Sequence, residues 1–486
     1  MLYNSSEILT RIKNLSNLFR GFIDTVEYRN YVLNFLFFKY LSDYARYYGY
    51  SDNNDEISRK EKKQANENEI ILPKELSFEY VYEQRESRDI GRIINHTLKN
   101  IEYQNSNQLY GIFISADYAF FDDPKNKNDI LKTFIEEFKN IELGPEYINP
   151  YLLGEVFEQI LNQFAIVSGK KGVDFYTPLE LCRLVSKLID PQSGETIYDP
   201  VAGSGGLLIE TAKLVESKNF SLYAQEQNKN AYILCKMNTF MNGMNENIGG
   251  IEWGDVITEP KFLEGEKLMK FDITVASLPW WEKNERDPSV IKDFSRFDWG
   301  TPPKGKVDYA FISHIASGMD EKNGRAAIII PHGVLFRGGT EKDIRTAMIK
   351  ENIIEAVIGL PPNMMYNSRV PVAILILRKN RNRSNILFID ASDEYISNTH
   401  SNKLSSENIE KIVSTYRNYE TLDKYAYVAT KEEVEKNDYQ LTIPRYVDTF
   451  EEETVNTENI TSKIKDLTYK MEEVRATLDK YLEEIL

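Results

Sequence analysis

The hydrophobic positions in the first third of the chain repeat with the period of an α-helix. This spacing is clearest in EILTRIKNLSNLFRGFID (residues 7–24) and in NDILKTFIEEFKNIE (residues 128–142). Between them, residues 51–69 are charged and almost free of apolar side chains, which is typical of an exposed insertion. The pattern therefore predicts an all-helical N-terminal domain over residues 1–165.

From residue 166 onward, short β-branched or apolar runs alternate with helical stretches, such as residues 205–217 and 231–243. This alternation indicates a mostly parallel sheet with helices on both faces. No helical pattern separates the last two runs, so we expect an antiparallel hairpin with a reversed final strand. The prediction is an α/β fold, a doubly wound sheet of seven strands, over residues 166–395. The predicted strands are residues 196–200, 221–227, 249–256, 272–277, 326–331, 354–360 and 372–379.

Beyond residue 395 the chain becomes polar and helical, first over residues 396–454 and then in a periodic segment over residues 455–486. The apolar spacing in that segment alternates between four and three, as in the heptad seam of a coiled coil. The seam predicts a long helix that packs against a partner chain, and the alternative is that it folds back on its own domain. Its apolar positions are Ile460, Ile464, Leu467, Met471, Val474 and Leu478, followed by Tyr481 and Ile485.

Composition and charge narrow the class of protein. The two cysteines, Cys182 and Cys235, cannot form a disulfide framework, and the four histidines match no metal motif, so we expect no metal site. No apolar run reaches the roughly 18 residues of a membrane span, and we expect a soluble, cytoplasmic protein. The net charge of −16 argues against a uniformly basic nucleic-acid binder, although a local basic groove or a basic partner would still allow DNA binding.

The most informative motif is a glycine-rich turn, DPVAGSGGLL, at residues 199–208. It follows an apolar strand and opens a helix, so Gly203, Gly205 and Gly206 can form a tight turn with bare N–H groups near a ligand. No Lys-Ser/Thr pair follows, and the spacing differs from G-x-G-x-x-G, so it is neither a P-loop nor a dinucleotide fingerprint. The turn alone indicates a ligand only weakly, but the following strands strengthen the signal.

Acidic residues follow the next two predicted strands. Glu226 ends the second strand, where doubly wound sheets place an acid that accepts hydrogen bonds from ribose hydroxyls. Asp255 lies at the end of the third predicted strand, where a carboxylate could accept from an exocyclic amine. With Asp199, these are three carboxylates at the carboxyl ends of consecutive strands, where ligands bind in such sheets. Each acid taken singly would equally well be a solvated loop residue.

The fourth predicted strand ends in a hydroxyl, a leucine, a proline and a tryptophan, Ser277-Leu278-Pro279-Trp280. With this element in place, the chain resembles the modification (M) subunit of type I restriction–modification systems, a family of amino-group DNA methyltransferases. The resemblance runs from the first predicted helix to the C-terminus. The strings that carry it are KKGVDFYTPLELCRLV (170–185), DPVAGSGGLL (199–208), PPKGKVDYAFISH (302–314), GRAAIIIPHGVLFRGG (324–339), IIEAVIGLPPNMMY (353–366), ILFIDAS (386–392) and NDYQLTIPRYVD (437–448).

The resemblance implies an AdoMet-dependent methyltransferase sheet that uses S-adenosylmethionine as its cofactor. In the family, a Phe-Tyr-Thr-Pro string and the glycine turn bind this cofactor, while Glu226 would hold the ribose and Asp255 would face the adenine. A motif order with the Phe-Tyr-Thr-Pro string first is that of the N6-adenine group. The implied cofactor residues are Phe175, Tyr176, Thr177, Pro178, Asp199, Gly203, Ser204, Gly205, Gly206, Glu226 and Asp255.

The resemblance also implies the chemistry of the fourth strand. The side-chain oxygen of Ser277 and the carbonyl of Leu278 would grip the target amine, and Trp280 would stack on the base after it leaves the duplex. The family string is Asn or Asp, then Pro-Pro, then an aromatic residue. Pro279 and Trp280 match it, whereas Ser277 and Leu278 differ from it. Serine at the first position of the string is more common among cytosine-N4 enzymes. Leucine at the second position has a backbone N–H, which proline lacks and which needs a hydrogen-bond partner. Adenine-N6 transfer is the main hypothesis. A weakly active or inactive scaffold or DNA clamp and a cytosine-N4 enzyme are the alternatives.

A second proline pair competes for the catalytic role. It lies in GLPPNMMY (359–366), where Pro361 and Pro362 precede Asn363 and Tyr366. This segment follows the sixth predicted strand and has no polar acceptor ahead of its prolines. We therefore expect it to be the turn that leads into the final hairpin.

The partners that the resemblance implies are double-stranded DNA, a specificity subunit that reads the sequence, and a second copy of the chain. A restriction subunit is a further partner in such systems. The chain has no zinc finger or basic recognition helix, which agrees with sequence reading by another subunit. The heptad segment is where that subunit would dock. DNA contacts are expected in the loop after Trp280, and a solvated loop is the alternative. The expected contacts are Arg296, Trp299, Lys304 and Lys306.

Overall fold

A computed structural model of the chain forms two compact units, Met1–Val447 and Asp448–Leu486. The helical N-terminal region and the sheet therefore lie in one unit, and the finer four-part division of the chain stays a prediction. The structure describes residues 5–15, 23, 25–50, 70–113, 116–121, 128–148, 150–167, 176–279, 293–366, 368, 370–398, 401–448 and 457–485.

The N-terminal region is helical, as its periodicity predicts. The run from Val32 to Leu41 is buried throughout, and the ring of Phe35 packs edge-on against Phe78 and Phe138 at centroid distances of 5.9 and 5.0 Å. The helices are α1 Ser5–Leu15, α2 Thr25–Tyr48, α3 Phe78–Glu83, α4 Ile90–Gln104, α5 Ser106–Leu109, α6 Asn128–Lys139 and α7 Pro150–Val167, with 3₁₀ turns at Lys74–Leu76 and Tyr118–Phe121.

A lysine interrupts the apolar run of α2, and it is buried with its own counter-ion. The Nζ of Lys39 lies 2.6 and 2.5 Å from the two carboxylate oxygens of Asp43, one turn later. Asp43 Oδ2 also accepts a hydrogen bond from the N–H of Leu143 at 2.8 Å. Because both charges are paired and hydrogen-bonded, the lysine can lie in the core.

A mixed sheet forms the centre of the same unit. Within the described residues it has nine strands in the order β9-β8-β6-β7-β5-β4-β1-β2-β3. All seven predicted strands are present, and β7 is antiparallel to β5 and β6, as expected. The strands are β1 Thr196–Asp199, β2 Ser221–Glu226, β3 Ile248–Trp253, β4 Ile273–Ser277, β5 Arg325–Pro331, β6 Ile354–Gly359, β7 Val372–Arg378, β8 Ile386–Asp390 and β9 Ala426–Ala429.

The predicted number of seven strands was wrong, because β8 and β9 extend the sheet beyond β6. β8 runs parallel to β6, and β9 pairs antiparallel with β8, with Ile386 opposite Ala429. β9 has only four residues and lies in the polar region after residue 395. A strand this short carries little periodicity of its own, so pairing with β8 decides its conformation.

Both faces of the sheet are covered, as a doubly wound fold requires. Ile273 and Val275 of β4 join the core on one face, and Ala276 and Leu278 join the core on the other. β5 is buried along its whole length, which is typical of a strand with helices on both sides. The helices here are α8 Leu179–Ile189, α9 Gly206–Lys213, α10 Lys229–Met241, α11 Asp308–Gly318, α12 Thr340–Lys350, α13 Ser406–Asn418 and α14 Lys431–Lys436, with 3₁₀ turns at Asn245–Asn247, His332–Leu335 and Ile443–Arg445.

The C-terminal unit contains one long helix, α15, Thr457–Ile485. It includes Ile460 of the predicted heptad seam, and the seam residues with described side chains are 55–69% exposed. These exposed residues are Ile464, Leu467, Met471, Val474 and Leu478. Among the described residues, no helix combines the length and hydrophobicity that a membrane crossing requires.

Candidate functional site

The glycine turn after β1 is shaped by two glycines with positive φ. Gly203 has φ 54° and Gly205 has φ 85°, a region of backbone space that favours glycine. A Cβ on Gly205 would also lie 3.0 Å from the Sγ of Cys235, so the turn packs tightly against α10. The turn opens α9 with its N–H groups at the carboxyl edge of the sheet, as predicted.

Glu226 lies beside this turn. Its Oε2 accepts a hydrogen bond from the N–H of Gly203 at 2.8 Å, and its Oε1 accepts from the N–H of Asn228 at 2.7 Å. A carboxylate has about four acceptor sites, so these two hydrogen bonds alone do not fill them. The end of β2 is therefore joined directly to the turn after β1.

Asp199 is the most deeply buried acid of this group, with 1% of its surface exposed. Its Oδ1 accepts a hydrogen bond from the N–H of Val201 at 3.0 Å. Burial raises the pKa of Asp199 to about 8, and the negative charge of Glu226 raises it further in the same direction. A cation next to these two carboxylates would lower that pKa, so the pair favours a positively charged ligand.

Asp255 follows β3 at the same edge, but its carboxylate also caps a local turn. Oδ1 accepts from the N–H of Ile257 at 3.0 Å, and Oδ2 accepts from the hydroxyl of Thr258 at 3.2 Å. The N–H of Gly254 donates to the carbonyl of Glu226 at 3.0 Å, which joins this loop to the end of β2. The three predicted acids therefore follow three neighbouring strands of the sheet.

The structure brings the Phe-Tyr-Thr-Pro string to the same place, although Phe175 lies outside the described residues. Pro178 is the N-cap of α8, and the carbonyl of Thr177 accepts from the Sγ of Cys182 at 3.6 Å. That Sγ also lies 3.5 Å from the position of a Cβ on Gly206. The start of α8, with Tyr176, Thr177 and Pro178, thus lies next to the glycine turn.

Two buried asparagines support the glycine turn, and sequence reasoning missed both. The side-chain N–H of Asn238 donates to the carbonyl of Ser204 at 3.0 Å. Asn242, one turn further along α10, donates to Asn238 Oδ1 at 3.0 Å. The sequence pattern that could have identified them is a pair of amides four residues apart on an otherwise apolar helix face. Their partner could be found only from the packing of α10 against the turn.

Ser277 ends β4 opposite Ile329 of β5. The N–H of Leu278 donates to the carbonyl of Ile329 at 3.2 Å, and the Leu278 side chain is fully buried. Among the described residues, none forms a hydrogen bond with the partly exposed Ser277 hydroxyl. Pro279 is buried, and Trp280 lies outside the described residues. The site thus places a hydroxyl oxygen at the end of the strand next to β1.

Comparison with known families identifies this constellation. The model of the N-6 DNA Methylase family matches residues 149–455, and that of the HsdM N-terminal domain matches residues 8–138. The chain belongs to the N-6 DNA methylase family. The chain is 36% identical over 350 residues to the type I restriction enzyme MjaVIII methylase subunit of Methanocaldococcus jannaschii. That match covers 69% of this chain but only 60% of the relative's length.

Two further relatives cover the methylase more completely. The type I restriction enzyme MpnII methylase subunit of Mycoplasma pneumoniae is 26% identical over 98% of this chain and 95% of its own length. The crystal structure of a type I restriction-modification system methyltransferase subunit from Streptococcus thermophilus superposes with a TM-score of 0.82 at 30% identity. The match covers 92% of this chain and 100% of that chain, so the two chains share a fold over the matched residues.

One predicted DNA contact of the methylase is wrong. Arg296 is fully buried, and its guanidinium donates to the carbonyls of Val256 at 2.9 Å and Ile257 at 2.6 Å. It also lies 3.3 Å from Nδ1 of His314, and burial lowers the pKa of Arg296 to about 10 and that of His314 to about 3. Arg296 therefore anchors the segment after β3 in the core and does not contact a ligand.

The other predicted DNA contacts of the methylase remain accessible. Lys304 and Lys306 are exposed in the segment before α11, and Trp299 is partly exposed. The indole N–H of Trp299 donates to Glu351. These three residues stay predictions as DNA contacts.

The second proline pair of the methylase lies in the turn between β6 and β7, as expected. The side chain of Asn402 donates to the carbonyl of Pro362 at 2.8 Å, and Asn363 adopts a φ of 55°. Tyr366 packs its ring 6.0 Å from that of Tyr176. This turn therefore lies beside the Phe-Tyr-Thr-Pro string, with its prolines away from β4.

Proposed function

We propose that this methylase is the modification subunit of a type I-like restriction–modification complex. It transfers a methyl group from S-adenosylmethionine to adenine N6 in DNA, at a site read by a partner specificity subunit. The observation that carries the proposal is the arrangement along one edge of the sheet. The glycine turn and the acids Asp199 and Glu226 follow β1 and β2, and Ser277 ends the adjacent strand β4.

The residues after β1, β2 and β3 fit this cofactor. S-adenosylmethionine supplies a methyl group on a positively charged sulfur. Asp199, whose pKa is raised by burial, and Glu226 favour a positive charge beside them. We assign Glu226, at the end of β2, to the ribose hydroxyls and Asp255, after β3, to the adenine, and the segment from Tyr176 to Pro178 lies against the glycine turn.

Ser277 and Leu278 hold the target amine. Two acceptors, the Ser277 hydroxyl oxygen and the Leu278 carbonyl, bind the two amino hydrogens and favour a more tetrahedral nitrogen whose lone pair is free. The hydroxyl is accessible at the end of β4, and Trp280 follows two residues after Leu278 to stack on the extruded base. Orientation of the amine, rather than removal of its proton beforehand, is what these residues contribute.

Leu278 supports an active enzyme over an inactive scaffold. The N–H that leucine adds relative to the family's proline is satisfied by the carbonyl of Ile329. The main chain therefore stays extended past the end of β4 without an unpaired donor. Serine at the first position is shorter than asparagine but provides the same kind of acceptor.

The proposal includes a complex that works in the cytoplasm, where the DNA is found. The specificity subunit docks on the exposed apolar stripe of α15, and a second copy of the methylase and double-stranded DNA complete the modification complex. A restriction subunit joins the same assembly. Lys304 and Lys306 contribute phosphate contacts to a chain that is acidic overall.

The test is methyl transfer by the purified complex to unmethylated DNA from a host that lacks the system, with labelled S-adenosylmethionine. Digestion of the product to nucleosides should place the label on deoxyadenosine. Label on deoxycytidine would instead identify a cytosine-N4 enzyme. Cofactor binding without any transfer would identify a scaffold or DNA clamp and sink the proposal.

The role of Ser277 has its own test. We expect Ser277→Ala to lower kcat by about 10²–10³-fold, since that is the usual effect of removing one transition-state hydrogen bond. Binding of S-adenosylmethionine, measured by calorimetry, should stay unchanged. Ser277→Asn restores the family's residue and serves as the matched variant that keeps an acceptor and should keep activity. Equal kcat for Ser277→Ala and wild type would contradict the assigned role.

A further inference from the structure

The edge of the sheet that carries the site divides into two halves. The cofactor residues follow β1, β2 and β3, which lie on one side of β4 in the strand order. β5, β7, β6 and β8 lie on the other side, and their loops at this edge are assigned no role by the proposed function. Because the base must reach Ser277 from outside the cofactor half, the DNA has to approach over these loops.

An exposed aromatic ring marks the first of these loops. Phe336 directly follows the turn His332–Leu335 that leaves β5, and half of its surface is exposed. Among the described phenylalanines, only Phe336 and Phe120 are exposed, and Phe120 belongs to the helical N-terminal region. The ring thus lies at the edge of the sheet that carries the site, in the segment that follows β5, the strand that pairs with β4.

The backbone that presents this ring is anchored on both sides. The carbonyl of Val334 accepts from the hydroxyl of Tyr309 at 2.9 Å and from the guanidinium of Arg345 at 3.1 Å. The carbonyl of Leu335 accepts from the N–H of Leu441 at 2.9 Å. Arg345 is fully buried and also donates to the carbonyl of Arg337 at 3.1 Å, so both neighbours of Phe336 are fixed.

A fixed, exposed aromatic ring is suited to contact with a flat partner. An exposed phenylalanine ring does not gain the hydrophobic stabilisation that burial would give it. Because the backbone of Phe336 is anchored, its conformational entropy falls little when the ring binds a partner. Nucleic-acid bases have large π faces, and aromatic side chains that stack on them or wedge between them are a common mode of recognition.

An ion-paired arginine links this ring to a segment with two exposed lysines. Arg337, which directly follows the ring residue, pairs with Asp308, the first residue of α11, and with Glu341. The segment that precedes α11 therefore reaches the same edge of the sheet, and it carries the exposed Lys304 and Lys306. Two accessible ammonium groups at the edge that carries an exposed aromatic ring fit phosphates that flank bases.

We propose that Phe336 stacks on a base of the duplex next to the extruded target adenine, while Lys304 and Lys306 contact the flanking phosphates. The inference rests on the proposed function, because it requires DNA with an extruded base at Ser277. Phe336 fills the gap in the base stack and thereby stabilises the open duplex, a role separate from that of Trp280, which stacks on the extruded base itself.

The test uses the complete complex of methylase and specificity subunit, with Phe336→Ala, Phe336→Trp and the control Phe120→Ala. The recognition sequence is first read from the methylation pattern of a host that expresses the complex. A duplex with 2-aminopurine at the target position then reports base extrusion by its fluorescence, fluorescence anisotropy of an end-labelled duplex reports affinity, and calorimetry reports the binding of S-adenosylmethionine.

We expect Phe336→Ala to reduce kcat/KM for the duplex and the extrusion equilibrium by about 5–150-fold, the range for one lost aromatic–base stack. Phe336→Trp keeps a stacking face and should stay within about threefold of wild type. Phe120→Ala should behave as wild type, and cofactor binding should be unchanged in all three variants.

Wild-type extrusion and wild-type kinetics for Phe336→Ala would overturn the inference. The proposed function fails in a different way, by the absence of methyl transfer in the wild-type complex. In that case a bound sequence is instead selected from a pool of random duplexes with the wild-type complex, and the anisotropy of Phe336→Ala against wild type on that duplex still decides whether the ring contacts DNA.

Discussion

Leu278 occupies a position where relatives of this family carry proline, and two features of the fold hold it there. Its N–H donates to the carbonyl of Ile329 at 3.2 Å, and its side chain is fully buried in the core on one face of the sheet. Leu278 therefore extends the pairing of β4 with β5 through its N–H and contributes its side chain to the core. A change at this residue therefore acts on stability as well as on the proposed catalytic loop.

We expect Leu278→Pro to destabilise the protein, even though it restores the residue of the family string. Proline removes the donor, leaves the buried carbonyl of Ile329 without its partner, and lowers the free energy of unfolding by about 1–3 kcal/mol. Denaturant unfolding monitored by tryptophan fluorescence measures the change. Leu278→Met keeps the N–H and a similar volume, and should cost less. A Leu278→Pro variant as stable as wild type would show that this hydrogen bond is dispensable.

At the scale of elements, α10 connects the glycine turn to the helical N-terminal region. The side-chain N–H of Asn238 donates to the carbonyl of Ser204, and the side-chain N–H of Asn242 donates to Oδ1 of Asn238. The Asn242 side chain also occupies the space that a Cβ on Gly154 of α7 would take, at only 1.9 Å. Two amides, one on α10 and one at its C-cap, thus connect α7 to the glycine turn, the proposed cofactor-binding element.

We expect Asn238→Ala to weaken the binding of S-adenosylmethionine by roughly tenfold, because the turn loses the hydrogen bond that positions Ser204. KM for the cofactor should rise, while kcat at saturating cofactor changes little, since Asn238 does not contact the reacting atoms. Asn247→Ala is the matched control, because this asparagine also donates to main-chain carbonyls, of Lys218 and Phe220. An equal loss in both variants would indicate general destabilisation instead.

Helix α7 carries a buried acid that makes stability depend on pH. Glu158 is 2% exposed, neither carboxylate oxygen has a hydrogen-bond partner among the described residues, and burial raises its pKa from 4.5 to about 7. Between these values the unfolded chain loses this proton while the folded protein keeps it. The contribution of Glu158 to stability is therefore complete below about pH 4.5 and is lost as the pH rises to about 7.

We expect Glu158→Gln to remove this dependence. The free energy of unfolding of the variant relative to wild type should increase between pH 4.5 and 7, by on the order of 3 kcal/mol, and then level off. Denaturant titrations at a series of pH values measure the difference. A difference between variant and wild type that is independent of pH would contradict the assignment of this proton to Glu158.

At the scale of the whole molecule, the proposed function assigns catalysis to one unit and assembly to the other. The sheet, the helical region and the site belong to Met1–Val447, whereas the exposed heptad stripe belongs to Asp448–Leu486. The chain is acidic, with a net charge of −16, so a partner that reads the sequence and contributes basic surface is consistent with its charge. Assembly should therefore be separable from folding of the catalytic unit.

We expect deletion of residues 455–486 to abolish association with the specificity subunit while the sheet keeps its stability. Leu467→Glu with Met471→Glu should have the same effect, because the two charges interrupt the apolar seam. The control is Lys470→Glu, which changes charge on the same helix outside the seam. Co-elution of the truncated chain with the specificity subunit would contradict this role, and the unfolding midpoint reports the stability of the catalytic unit.

Several features of the fold and of the site follow from the sequence alone. Periodicity is a local property, so the helical N-terminal region, the seven central strands and the heptad helix could be recognised from their spacing. The glycine turn and the acids Asp199, Glu226 and Asp255 were also predictable, because the carboxyl ends of parallel strands meet at one edge of a sheet. The order of these motifs along the chain indicated the family.

Other features were decided only by tertiary structure, because they depend on contacts between residues far apart in the chain. β9 is a strand because it pairs with β8, although its own four residues carry little pattern. Arg296 was predicted to contact DNA, yet its guanidinium is buried and donates to two main-chain carbonyls of the segment that follows β3. Asn238 became part of the site through Ser204, 34 residues away. Hydrophobic spacing determines which elements form, whereas the pairing of buried polar groups determines which residues build the site.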